Sequence, residues 1–78
     1  MNIEDTIKKL MAQVFKVDLI LITDDVGPGA FPKWDSLNHI NLIAAIEDEF
    51  DIEIDDDEYE EMVSFKIIVA IVNSYMEG

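Results

Sequence analysis

The sequence predicts an all-α fold, with three long helical stretches and one short one. Apolar residues recur at three-and-four spacing over 3–16, 36–50 and 65–76. The stretch that breaks this rhythm, 17–35, holds both prolines and two of the three glycines. The chain is also short: 78 residues, half of them hydrophobic and none cysteine, are expected to form one domain over 1–78 with a compact core and no disulfide staples.

The first helix is expected over residues 3–16. Ile3, Ile7, Leu10 and Val14 form its apolar stripe, Met11 widens it, and Lys8 and Lys9 fall mostly on the opposite side. Residues 17–35 form a long loop. Val17, Leu19, Ile20, Leu21 and Ile22 are expected to plug the end of the core and keep the loop ordered. Gly27, Pro28, Gly29 and Pro32 follow, where a continuous helix cannot run. A loop of this length in so small a domain is usually functional.

The second helix is expected from about Ser36 to Phe50, with Asp35 as its N-cap. At 100° per residue Leu42, Ile43, Ile46 and Phe50 share one side. Leu37, Ile40 and Ala44 make a second stripe about a third of a turn away, with Asn41 and Asp48 beside it and Glu47 at its other border. One stripe can face the core and leave the other near the surface for a partner. The alternation Asp51-Ile52-Glu53-Ile54 suggests a short extended segment. One or two helical turns over 56–62 would be anchored by Tyr59 and Met62. Ser64 then caps a last helix, 65–76, with Phe65, Ile68, Val72 and Tyr75 facing the core and Val69 and Ile71 flanking them.

Charge narrows the function. Eighteen acidic residues stand against five lysines and no arginine, a formal net charge of -13. Nucleic acids and anionic membranes both select cationic surface, so neither is an expected partner. Proteins with basic patches are. The charge is uneven: residues 1–16 sum to +1, whereas 51–61 carry eight carboxylates and no base. No secretory segment follows Met1, and the longest apolar run, Ile67–Val72, is too short to span a bilayer. The expected setting is the cytoplasm and the expected state a monomer.

Catalytic equipment is scarce. Ser36 sits at the helix start beside Asp35, and its plain reading is a first-turn residue. The context adds a second reading. A helix N-terminus favours an attached anion, and the long loop before it gives another enzyme access. Serine hydrolysis would need an oriented base, yet His39, the single histidine, points about 60° away around the helix, and there is no Gly-x-Ser-x-Gly. His39 reads instead as a half-buried histidine bonded to the loop, with pH sensing as its other role. Trp34 and Phe31 read as packing against the neighbouring helix end, or alternatively as a contact surface. The acidic run fails calcium-loop spacing: the sixth position from Asp51 is Asp56 rather than glycine and the twelfth is Met62 rather than glutamate. No metal site is expected, and no catalysis by the chain itself.

With Ser36 in place, nearly the whole chain resembles the acyl carrier proteins. The matching string is Trp34-Asp35-Ser36-Leu37, then Ile40, Leu42-Ile43, Ile46-Glu47-Asp48-Glu49-Phe50, then Ile52 and Ile54. The resemblance implies a small four-helix bundle with a long loop between the first two helices. It also implies 4′-phosphopantetheine on Ser36, within the Asp35-Ser36-Leu37 motif, added from coenzyme A by a phosphopantetheinyl transferase. The arm's thiol would hold acyl groups as thioesters, shielded between helices and presented to acyl-transferring or condensing enzymes of fatty-acid, lipid or specialised, polyketide- or peptide-like, biosynthesis. Leu37, Ile40, Asn41, Ala44, Glu47 and Asp48 would dock those partners. Carriers of primary fatty-acid synthesis usually have acidic residues where Asn38 and Asn41 stand and a small residue where Trp34 stands, so the likeness is to stand-alone carriers of specialised pathways. The other reading is an acidic helical adaptor that binds a basic protein surface without a prosthetic group.

Overall fold

Three of the four helices begin at a side chain that accepts from an otherwise free backbone amide. The computed structural model describes residues 2–77. Helix α1 spans Ile3–Phe15, α2 Ser36–Phe50, α3 Asp56–Tyr59 and α4 Phe65–Glu77, with a single 3₁₀ turn at Leu19–Leu21. Asn2 caps α1 through Asp5 N–H at 3.2 Å, Asp35 caps α2 through Asn38 N–H at 2.8 Å, and Ser64 caps α4 through Ile67 N–H at 3.2 Å. Each satisfies one amide the helix leaves unpaired. At their far ends α1 and α2 stop on left-handed residues, Lys16 and Asp51, both at φ 55°. Each turns its N–H back on the last turn, to Ala12 and Glu47 respectively.

The expected all-α fold is observed, and among the described residues no strand forms. The alternating Asp51–Ile54 segment is an irregular connection, with Ile54 buried and Ile52 half-buried. The short third helix ends at Tyr59, three residues earlier than the 56–62 expectation, although Met62 is fully buried as an anchor.

The core draws on every long helix. Ile7, Met11 and Phe15 come from α1, Leu42, Ile43 and Ile46 from α2, and Phe65, Ile68 and Val72 from α4. Ile22, Trp34, Ile54 and Met62 close it from the connections. The α1 stripe is therefore centred one position round from the sequence expectation, with Ile3, Leu10 and Val14 only partly buried. Lys8 is likewise not on the far side: its ammonium lies 5.7 Å from the centre of the Phe65 ring. Among the described residues no charged group enters the core, and no helix is long and apolar enough to cross a membrane.

One expectation about the loop is overturned. Its apolar first half does not plug the core as a block. Ile22 is buried and Val17 half-buried, but Leu19, Ile20 and Leu21 are exposed, Ile20 to 84 %. The end of the core beside Phe15 is filled by aromatic rings from the second half of the loop. Trp34 stacks on Phe15 with ring centres 4.6 Å apart, and Phe31 lies 6.2 Å from Trp34. Backbone bonds fix this half. Gly29 N–H donates to the Trp34 carbonyl at 3.1 Å, with Gly29 in a positive-φ conformation (92°), and Trp34 N–H donates to Phe31 at 3.0 Å. The loop is also tied to the start of α4: Phe65 N–H donates to Val26 and Lys66 N–H to Asp24. At that seam Gly27 lies so close to Val63 that a Cβ would run into the Val63 carbonyl oxygen.

Two outcomes test this account. Trp34→Ala should lower the unfolding free energy by ~3–5 kcal/mol in urea titration, the range for truncating a buried large aromatic residue. Salt should raise the melting temperature, because the carboxylates of 51–61 repel one another across a solvated surface. A flat salt response would show that this repulsion is not a significant term.

Candidate functional site

The helix start at Ser36 is fastened by its neighbours. The Asp35 carbonyl accepts from His39 N–H at 2.9 Å, while its side chain takes Asn38 N–H. Asn38 then uses its own amide to donate to the Lys33 carbonyl at 2.7 Å, and Asn41 donates to the Asn38 oxygen at 3.1 Å. A carboxylate at 38 could not make the bond to Lys33, because it has no proton to give. Ser36 is exposed. The Ser36 and Leu37 amides, at the start of α2, have no intrahelical acceptor, which suits an anion attached to the Ser36 hydroxyl.

Ser36 opens on a cavity of ≈ 490 Å³ between the start of α2 and the α3 region. Trp34, His39 and Ile40 line one side, Tyr59, Met62 and Val63 the other, with Asp35, Glu60 and Pro28 at its border. The volume is within the range of small-ligand sites.

His39 joins the two sides. Its Nδ1 accepts from the Trp34 indole N–H at 3.0 Å, and its ring lies edge-on to Tyr59 with ring centres 6.0 Å apart, near the Tyr59 backbone carbonyl. Burial pushes the imidazole below the ordinary histidine range, against the smaller opposing pull of that carbonyl. An indole N–H can only donate, so the bond requires an unprotonated Nδ1. With Nδ1 taken by the indole, that nitrogen is not available to activate Ser36. The half-buried histidine bonded to the loop exit is as expected from the sequence, and so is the packing of Trp34, which is 2 % exposed. The sequence reading did not pair these two rings with each other. Their separation of five residues across a helix start is the one signal that could have suggested it.

The α3 wall is held by polar tethers rather than by burial, since α3 itself has no buried residue. The Glu47 carboxylate accepts from Ile54 N–H at 2.8 Å. The Tyr75 hydroxyl accepts from Asp55 N–H at 2.9 Å and donates to the Glu58 carboxylate, which holds the phenol above its usual range. Tyr59 is also pushed up, first by burial and then by the charges of Glu47 and Asp56.

The second α2 stripe faces solvent. Leu37 is 67 % and Ile40 50 % exposed, and Ala44, Asn41 and Asp48 are exposed with them. Glu47 differs from the other five expected docking residues: it is half-buried and occupied with Ile54. Among the described residues no cluster of three or more histidine or carboxylate side chains is placed to hold a metal ion.

No protein-family model matches the chain. Among curated proteins it is 39 % identical over 75 residues to an acyl carrier protein of Buchnera aphidicola subsp. Baizongia pistaciae, covering 96 % of both chains. It is 32 % identical over 73 residues to an acyl carrier protein of Buchnera aphidicola subsp. Schizaphis graminum, covering 94 % of this chain and 92 % of the other.

The state of His39 has a measurable consequence. Its folded pKa lies below the unfolded value of about 6.5, so the unfolded chain takes up the proton first. The stability it contributes is full above about pH 6.5 and is lost as pH falls through the folded value. His39→Gln keeps an acceptor for Trp34 but does not titrate. On going from about pH 7.5 to 5.5, the wild-type melting temperature should fall relative to that of His39→Gln. A gap that stays constant would show that the imidazole titrates alike in the folded and unfolded chains.

Proposed function

The chain belongs to the acyl carrier protein family, and on that premise we propose that residues 1–78 form one carrier domain bearing 4′-phosphopantetheine on Ser36. Members of this family are carriers, not catalysts. The observation that carries the assignment of Ser36 is its position: an exposed hydroxyl at the N-terminus of α2, capped by Asp35 and opening on the cavity, with the only histidine engaged elsewhere. Such a hydroxyl is poorly placed to attack a substrate unaided and well placed to be modified by a transferase.

The residues present fit the group. The first-turn amides of α2 suit the phosphodiester, Asp35 and Leu37 flank the attachment point, and the lining of the cavity beside it includes the apolar Ile40, Met62 and Val63. When attached, the arm supplies the thiol that the chain lacks and holds acyl groups on it as thioesters. The protein's own part is to position the arm, to shelter its cargo and to dock partners.

Docking would use Leu37, Ile40 and Ala44 as the apolar centre, with Asn41 and Asp48 around them and Glu47 behind. The partners are the phosphopantetheinyl transferase and acyl-transferring or condensing enzymes with basic patches, steered by the net charge of -13. Asn38 and Asn41 replace charge with a hydrogen-bond chain at the top of α2. That surface favours enzymes of a specialised or lipid-modifying pathway over those of general fatty-acid synthesis. A monomer in the cytoplasm, with no nucleic-acid or membrane partner, accords with the acidic surface.

Intact mass decides the central assignment. Incubation with coenzyme A, magnesium and a promiscuous phosphopantetheinyl transferase should add one phosphopantetheine to the wild type and none to Ser36→Ala. No increment in either would leave an acidic adaptor, binding through the exposed α2 stripe, as the better reading.

A further inference from the structure

Phe31, Phe15, Trp34, His39 and Tyr59 form an unbroken run of rings from the core to the outer wall of the Ser36 cavity. Successive ring centres lie 6.3, 4.6, 6.2 and 6.0 Å apart, with His39 edge-on to Tyr59 at 86°. Trp34 and Met62 belong at once to the cavity lining and to the core. Behind them Met11, Leu42, Ile46 and Val72 have no exposed surface. The cavity is therefore a groove closed on its inner side, not the mouth of a tunnel into the bundle.

We propose that this aromatic wall fixes the cargo class: the carrier holds short acyl groups in the open groove beside Ser36 and keeps long alkyl chains out of its interior. The inference rests on Ser36 bearing the acyl arm. Trp34 is the residue that sets the limit, and His39 positions it. A long chain going deeper past the aromatic wall would have to displace the indole. The chain would gain apolar burial, but the ring would give up its own burial and its stacking on Phe15, so the exchange yields little net hydrophobic gain. It would also take the indole N–H from its acceptor on His39, leaving a polar group to be satisfied elsewhere. A short acyl group meets no such opposition, because the groove beside Ser36 already exists.

The test uses the whole protein and three forms made by the transferase: holo, butanoyl and hexadecanoyl, loaded from coenzyme A and its two thioesters and verified by intact mass. Melting temperature and Trp34 fluorescence, the emission of a single tryptophan, are compared. The expected result is that the hexadecanoyl form melts within about 5 °C of the holo form, with unchanged tryptophan emission and stronger retention on a hydrophobic column because its tail is exposed. A rise of more than about 5 °C would overturn the proposal, since it would mean that the tail is buried, against a displaced indole where the emission also shifts. Trp34→Leu should gain the chain-dependent rise that the wild type lacks. If that variant does not fold, Tyr59→Ala, which shortens the wall at its exposed end, should show a smaller rise. The wild-type comparison stands without either variant. A missing mass increment would instead fail the carrier assignment itself, and is recognised before any melting is done.

Discussion

The hydrogen bond from the Trp34 indole to His39 is the contact on which both halves of the molecule depend. On one side it lets the chain bury its largest side chain at the end of the core, where a bare indole N–H would be costly. On the other it fixes the first turns of α2, and with them the position of Ser36 above the cavity. Nothing else on the loop could do both. Leu19, Ile20 and Leu21 are apolar enough to fill the core but lie on a 3₁₀ turn that leaves them outside. The loop is ordered because its second half, not its first, supplies the aromatic rings.

Electrostatics and packing are kept apart in this fold. Apolar groups make the core and carboxylates lie outside it. The acidic 51–61 stretch is poor material for burial, so the structure holds it by its backbone instead. Glu47 takes Ile54 N–H, Tyr75 takes Asp55 N–H, and within the stretch Ile54 is buried while Ile52 and Tyr59 pack half-buried against the core. An α3 fastened in this way has a weaker hold than the three long helices, in line with the low local stability expected where few apolar contacts are made. It is also the outer wall of the cavity. The outer side of the cavity is thus the part of the protein least committed to the core.

Much of this was legible in the chain, because periodicity and caps are local signals. The two stripes of α2 were separable by angle alone, and the stripe at Leu42, Ile43 and Ile46 is the buried one. Asp35 and Ser64 announced their helix starts through residue type and position. Three features were not legible, each for a physical reason. The pairing of Trp34 with His39 depends on how the loop turns before α2. The exposure of Leu19–Leu21 depends on competition for one end of the core, which hydropathy does not rank. The engagement of Glu47 with Ile54 depends on the left-handed turn at Asp51, which brings the chain back past the helix it has just left. Asn38 and Asn41 show the converse: read as lost charges in the sequence, in the fold they are donors fastening the helix start to Lys33.

The close approach of Gly27 to Val63 bears on how this chain can vary among descendants. With Phe65 bonded to Val26 and Lys66 to Asp24, the loop is buttoned to the start of α4 at a point where no side chain fits. Its length is therefore not free to drift as a whole. Insertions and deletions have room around the exposed Leu19–Leu21 turn, where backbone and side chains face solvent. Between Asp24 and Trp34 the same changes would shift the button, the indole and the serine together. The loop is two inheritable units joined end to end, one permissive and one locked to the register of α2.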